Sequence, residues 1–247
     1  MSTAIELIDV RVGSEESEGQ VEVSLAVDEG EWLVLLGPTR SGKSVILELC
    51  AGLIVPEEGR VRLLGRDLRA ATEDDWLDLR ARVGTVLQQP GLLSNMTVFN
   101  NVALPLRYHN VDMDEETVLA RVAAQLDALG LAALADRFPS QLTQGEVRCA
   151  AIGRALILGQ ELLLLDDPAA GLDADMTRNL VAYLTNLRRE RPLTILATMR
   201  TFSPFLDAAD RVAFLSEGRV EASGPPAQLG AAGEPSWQGY LQPRRQP

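Results

Sequence analysis

The segment Gly37-Pro38-Thr39-Arg40-Ser41-Gly42-Lys43-Ser44 fits the pattern G-x-x-x-x-G-K-[ST], and no other stretch of the chain restricts its fold so tightly. The pattern requires a strand before it and a helix after it. An apolar run, Trp32 to Leu36, precedes it, and a helix-like segment, Val45 to Leu53, follows. In that setting successive backbone N–H groups point inward and cradle phosphate oxygens. Lys43 is expected to reach the β- and γ-phosphates of a nucleotide, and the Ser44 hydroxyl to ligate Mg²⁺. The candidate nucleotide-binding set is Gly37, Pro38, Thr39, Arg40, Ser41, Gly42, Lys43, Ser44 and Val45.

A chain of 247 residues, 46% of them apolar, suits one large domain or a core carrying an inserted subdomain. The formal net charge of −12 argues against a nucleic-acid partner, because neutralising phosphates takes clustered Lys and Arg. Cys50 and Cys149 lie in separate helix-like segments and read as buried thiols of a reducing compartment. No apolar run approaches the length of a membrane span, and the acidic residue Glu6 does not suit a signal peptide. The expected location is cytoplasmic, without direct membrane insertion.

Strand-like alternation marks Ile5 to Val12 and Val21 to Val27, and shorter strand patterns fall at Val61 to Leu64 and Gly84 to Leu87. A short helix is expected over Asp74 to Arg82. Helical spacing then dominates from Pro90 to about Leu156, in Val98 to Leu104, Glu115 to Leu129 and Gly145 to Leu156. Strands return at Leu162 to Leu165, Leu193 to Thr198 and Val212 to Leu215, with a long helix over about Ala174 to Arg189. The Pro- and Gly-rich tail from Gly224, with Leu229, Trp237, Tyr240 and Leu241, reads as a loosely packed appendage. The run Leu162 to Leu165 ends in Asp166-Asp167-Pro168, and a carboxylate at the end of such a strand is where a phosphate-loop fold holds Mg²⁺ through its water shell.

With that carboxylate strand in place, the chain resembles the ATP-binding-cassette (ABC) ATPases over nearly its whole length. The family order is phosphate loop, glutamine loop (Val86-Leu87-Gln88), helical subdomain, signature (Leu142-Thr143-Gln144-Gly145-Glu146), carboxylate strand and D-loop (Ala169-Ala170-Gly171-Leu172-Asp173). The resemblance implies an α/β fold of ABC ATPase type. It has a P-loop NTPase (RecA-like) core, an inserted α-helical subdomain and an N-terminal antiparallel β subdomain. One nucleotide-binding domain would span 1–247, with its core at about 1–88 and 158–223, its helical subdomain at about 89–157 and its tail at about 224–247. It also implies ATP and Mg²⁺ as cofactors, with Ser44 and Gln88 on the metal and Asp166 in its water shell. Asp167 and Gln88 would be the catalytic pair. Thr143, Gln144, Gly145 and Glu146 would act in trans on the nucleotide of a second ABC ATPase subunit, identical (a homodimer) or different (a heterodimer), and Asp173 would lie at that dimer interface. The second expected partner is a transmembrane permease, docked in a groove beside Gln88 to Leu106, which would hold the chain at the cytoplasmic face of the inner or plasma membrane. Val98-Phe99-Asn100-Asn101-Val102-Ala103-Leu104-Pro105-Leu106 and Ala51-Gly52-Leu53-Ile54-Val55-Pro56 resemble the ATPase of MCE-type phospholipid transporters, which implies a lipid or other hydrophobic cargo.

Several positions depart from the family pattern. Asp167 stands where a catalytic glutamate is usual, one methylene shorter, and a misplacement of roughly 1 Å costs on the order of a hundredfold in rate. Met199 holds the switch position, where the family's histidine donates to the γ-phosphate; a thioether donates nothing, although Arg200 is adjacent. Gln144 replaces a signature glycine, and Glu146 a glutamine, bringing negative charge towards a triphosphate. Arg40 replaces a loop glycine, so a positive φ there would be strained. No aromatic residue stands near Val12 to stack on adenine, and His109, the only histidine, is expected at the solvated surface. Two readings follow: a slow or atypical ATPase that drives a transporter, and a hydrolysis-deficient nucleotide-binding subunit with a regulatory or structural role, in which ATP holds a dimer together or which pairs with a competent ATPase.

Overall fold

The computed structural model describes residues 2–13 and 20–229. Most of the polar loop after Gly13, and Trp237, Tyr240 and Leu241 of the tail, lie outside the described residues. The chain divides into two compact units, Met1–Ala70 with Leu196–Pro247, and Ala71–Ile195.

The first unit opens with β1 (Thr3–Gly13) and β2 (Gln20–Asp28), paired antiparallel. Every second residue of β2 is buried, the mark of a sheet with one packed face and one wet face. β3 (Trp32–Leu36) is buried at all of its positions, as expected of a strand covered on both faces. It runs into the phosphate loop and then α1 (Lys43–Cys50). β4 (Glu58–Leu63) and β5 (Arg66–Asp67) complete a four-stranded sheet of order β2-β1-β4-β5.

The second unit contains α2 (Glu73–Arg82), β6 (Val83–Val86), α3 (Val98–His109), α4 (Glu115–Ala128), α5 (Gln144–Leu156), β7 (Leu162–Asp166) and α6 (Ala174–Glu190). Side-chain oxygens cap these helices where the sequence offers them. Thr72, Thr97, Asp114, Thr143 and Asp173 each accept from a backbone N–H in the first turn of the helix that follows. Val98, Val102, Leu106, Val118, Val122, Leu126 and Ala150 build a separate core among the helices. β6 and β7 pair in parallel, Val86 opposite Leu165.

The chain returns through β8 (Thr194–Met199), α7 (Pro204–Ala208), β9 (Arg211–Ser216), β10 (Arg219–Gly224) and α8 (Pro226–Leu229). In the first unit the strands run β10-β9-β3-β8, with β3 and β9 parallel. Glu217 and Gly218, both at positive φ (46° and 77°), turn β9 back into β10, as tight hairpins that match strand twist require. The entry to β3 is clamped from β9. The Arg211 guanidinium grips Glu31 through two bonds of 2.6 and 3.0 Å, and the Trp32 N–H donates to Asp210 at 2.8 Å. Among the described residues no helix is long and apolar enough to cross a membrane.

Two features differ from the sequence expectation. The helix expected to end at Leu104 continues to His109 through Pro105. The ring removes one N–H, but Val102, Ala103 and Leu106 are buried around it and packing keeps the helix whole. β10 has no counterpart among the expected strands: Arg219–Gly224 carries only two apolar side chains, and none of its positions is buried. Cys50 and Cys149 are both buried, as expected. His109 is half-buried, with its ring edge-on to Tyr108 at 4.9 Å.

Candidate functional site

The phosphate loop lies wholly in the first unit. Its first glycine is fixed by main chain on two sides. Gly37 donates its N–H to the Met199 carbonyl at 3.3 Å, and a Cβ at Gly37 would stand 2.1 Å from the Leu215 carbonyl oxygen. Gly42, the N-cap of α1, has φ 97°, and a Cβ there would meet Val21 Cγ2 at 2.6 Å. The β9–β10 turn supports the loop from behind: the Gly218 N–H donates to Ser41 O at 3.2 Å, and Gly218 O accepts from Glu22 N at 2.9 Å.

Lys43, at the first position of α1, is buried. Its ammonium donates to Pro38 O at 2.5 Å and to Ser41 Oγ at 3.0 Å, so it spans the loop that precedes it. Ser44 and Val45 are half-buried on the first turn, and Thr39 and Arg40 are exposed. Arg40 has φ 66°, so the side chain that replaces the family's glycine does sit in the left-handed region. Met199, at the end of β8, is 1% exposed: its carbonyl serves Gly37, and its side chain is part of the packing.

The second unit holds the other candidates. All five residues of β7 are buried, Asp166 among them. Asp167 follows, half-buried, with φ 48°. Aspartate is among the few residues that tolerate this left-handed conformation well. Gln88 is exposed in the segment after β6. Thr143 caps α5 through a reciprocal capping box. Its Oγ1 accepts from Glu146 N at 3.3 Å, and the Glu146 carboxylate accepts from Thr143 N at 2.7 Å and Thr143 Oγ1 at 2.9 Å. The Glu146 charge is thereby held on the N-terminus of its own helix, where the helix dipole favours it. Gly145 is buried, with Gly171 O of the D-loop 2.8 Å from where a Cβ would stand; Gln144 beside it is exposed. Asp173 caps α6 by accepting from Met176 N at 2.8 Å.

Three side chains that the sequence reading did not single out organise this half. Arg148 of α5 is 5% exposed and donates to three backbone carbonyls: Ala170 O at 2.9 Å, Asp166 O at 3.1 Å and Gln88 O at 2.9 Å. Arg154, one and a half turns on, donates to Gly91 O at 2.9 Å and Pro90 O at 3.1 Å, and burial pulls its guanidinium below the ordinary value. Asn101 of α3 is fully buried; it accepts from Leu93 N at 2.7 Å and donates to the carbonyls of Leu93, Met96 and Thr97. Helical periodicity carried a signal for Arg148. It lies three residues after Gly145 and four before Ile152, both buried, so a charge falls on the packed face of α5.

The donors assigned to Mg²⁺, a hydroxyl at Ser44, an amide at Gln88 and a carboxylate at Asp166, are all hard oxygens, the chemistry that ion takes. The phosphate loop fits a triphosphate by its glycines and its buried ammonium. The residues present therefore suit the nucleotide and its metal.

A family model described as "ABC transporter" matches residues 21–170. The sulfate/thiosulfate import ATP-binding protein CysA of Synechococcus elongatus is 38% identical over 84% of this chain and 58% of its own length. The methionine import ATP-binding protein MetN of Mesorhizobium japonicum is 37% identical over 82% of this chain and 55% of its own length. The chain thus spans less than two thirds of these relatives. Among solved structures, the ATP-binding cassette MJ0796, a dimer in a post-hydrolysis state with ADP and phosphate, aligns with a TM-score of 0.82 at 27% identity, over 90% of this chain and 98% of that one. CbiO1 of Clostridium perfringens, part of the transporter complex CbiONQ, aligns at a TM-score of 0.81 and 23% identity over 94% of this chain and 92% of its own, and shows the shared fold.

Proposed function

The chain belongs to the ABC transporter family, with an α/β fold of ABC ATPase type, and from that premise we propose that it is the ATP-binding subunit of a transporter. The observation that carries the reading is the buried Lys43 ammonium spanning a loop whose glycines are packed against main chain and against Val21. Backbone N–H groups from Thr39 to Ser44 would hold the β-phosphate, and Lys43 the β/γ bridge. Ser44 and Gln88 would hold Mg²⁺, with Asp166 in its water shell; the ion when bound neutralises charge on the phosphates. Thr143 and Gly145 would serve the nucleotide of a second ATPase subunit, and MJ0796, a dimer, supports such pairing. A permease would anchor the pair to the membrane.

Asp167 would position or deprotonate the attacking water, slowly because of its short arm. The alternative, a nucleotide-gated scaffold without turnover, is favoured by one observation: the side chain at the switch position, Met199, is packed inside. For cargo, the resemblance in Val98 to Leu106 supports a lipid or another hydrophobic molecule. Val98, Val102, Ala103 and Leu106 are buried in the helical core, however, so their apolar character follows from packing. The relatives' names support import of small polar solutes, the reading we place first.

The test is steady-state ATP hydrolysis by the complex purified with its permease, with Lys43→Ala as the blank. Turnover above the blank, lowered by Asp167→Asn, identifies a motor; nucleotide binding without turnover identifies the scaffold. Undiminished turnover in both variants overturns the assignment of Lys43 and Asp167.

A further inference from the structure

Arg148 reaches three functional segments at once. Its guanidinium has five N–H donors in a rigid plane. Nη1 holds the Asp166 carbonyl, Nη2 the Gln88 carbonyl, and Nε the Ala170 carbonyl. Each bond fixes a peptide plane. The Asp166 carbonyl belongs to the peptide that leads into Asp167, so its direction sets the φ of Asp167, which stands at 48°. A residue in that sparsely populated region persists when its surroundings over-determine it. The Gln88 carbonyl fixes the segment bearing the Gln88 amide in the same way. The Ala170 bond holds the D-loop, whose Gly171 carbonyl packs on Gly145.

We propose that Arg148 is a positioning residue that sets, from within the signature helix, the directions of Gln88, Asp166 and Asp167 towards the metal and the attacking water. The inference rests on the proposed ATP-binding function. Lysine could replace only one prong of this fork, as its single ammonium cannot meet three carbonyls in one plane. The neighbouring Arg154 donates to the carbonyls of Pro90 and Gly91, which belong to neither the carboxylate strand nor the D-loop, so Arg154→Met serves as the comparison for loop anchoring alone.

The experiment measures binding of a fluorescent ATP analogue to the full chain, in EDTA and across a Mg²⁺ titration, for wild type, Arg148→Lys, Arg148→Met and Arg154→Met. Urea unfolding is run on the same samples. In EDTA the phosphate loop carries binding, and all four proteins should agree within about twofold. The Mg²⁺ concentration at half-effect should rise tenfold or more in Arg148→Met, less in Arg148→Lys, and by under threefold in Arg154→Met. An unchanged Mg²⁺ midpoint in folded Arg148→Lys and Arg148→Met overturns the inference. So does an equal fall of EDTA and Mg²⁺ binding, or an equal shift in Arg154→Met. If Arg148→Met does not fold, Arg148→Lys decides alone. Failure of the wild type to bind the analogue under either condition would instead overturn the nucleotide-binding assignment itself.

Discussion

Gly42 offers the sharpest test of how the phosphate loop is built. It sits at φ 97°, and a Cβ there would stand 2.6 Å from Val21 Cγ2. The left-handed backbone alone costs an L-residue roughly 1–2 kcal/mol. Carbon atoms pack at about 3.5–4.0 Å, so the new methyl must open a gap of roughly 1 Å. Val21 is 1% exposed and cannot swing into solvent. Overpacking of this kind costs about 1–3 kcal/mol. Gly42→Ala should therefore destabilise the protein by about 2–5 kcal/mol, the sum of the two costs. It should also weaken ATP binding more than tenfold, because α1 begins at the next residue and Lys43 moves with it. Val21→Ala deletes the obstructing methyl and by itself costs about 2 kcal/mol. Combined, the two changes should be less damaging than their sum by about 1–3 kcal/mol, the steric part, while the backbone part remains. Urea unfolding of the four proteins of this cycle, with ATP affinity measured in parallel, reads both effects. Additivity within about 0.5 kcal/mol would refute the steric argument, and a Gly42→Ala protein as stable as wild type would refute both parts.

Four further outcomes are expected. Asp167→Glu restores the usual arm length and should raise turnover roughly 10- to 100-fold, while lowering Tm by a few degrees, because glutamate tolerates φ 48° less well than aspartate; turnover at or below wild type would exclude arm length as the limitation. Arg40→Gly should relieve left-handed strain and raise stability by about 1 kcal/mol in urea unfolding, and a simultaneous loss of ATP affinity would show that the guanidinium contacts phosphate. Glu146→Gln keeps the capping box, which accepts glutamine equally, so stability should fall by under about 1 kcal/mol, whereas ATP-dependent dimerisation followed by sedimentation should strengthen; weaker dimerisation would remove the charge argument. Burial pushes the Cys50 thiol from 9.0 up to about 12. The unfolded chain releases that proton first, so the contribution is complete below pH 9 and is lost as pH climbs towards 12, at about 1.4 kcal/mol per unit. Cys50→Ala should flatten the alkaline slope of stability by that amount, and an identical slope would contradict the burial assignment.

The parts of this chain legible in its sequence are those in which local pattern and tertiary environment agree. Trp32 to Leu36 and Leu162 to Leu165 are apolar throughout because both strands are buried throughout. The phosphate loop is legible because its glycines answer demands of backbone φ and close approach that only glycine meets. Thr143-x-x-Glu146 spells a capping box as well as half of a signature, and the structure displays the capping role. Arg148 and Asn101 escaped notice for a different reason. Their partners are mostly backbone carbonyls, which every residue possesses, so no partner identity in the sequence could reveal them. For Arg148 those partners lie 18 to 60 positions away. β10 was missed because an exposed edge strand carries no buried face to impose a pattern.

The hairpin turn at Glu217 and Gly218 places the chain's best-known type of motif under the custody of residues with no motif at all. Gly218 bonds to Ser41 and to Glu22, so the nucleotide loop leans on main chain about 175 positions further along. The match to the family model ends at residue 170. A fragment cut there would keep the phosphate loop, the glutamine loop, the signature and both aspartates, yet it would lack β8, β9 and the turn that buttress the loop. Motif content and mechanical completeness are separate properties here, and the second is decided near the far end of the described chain.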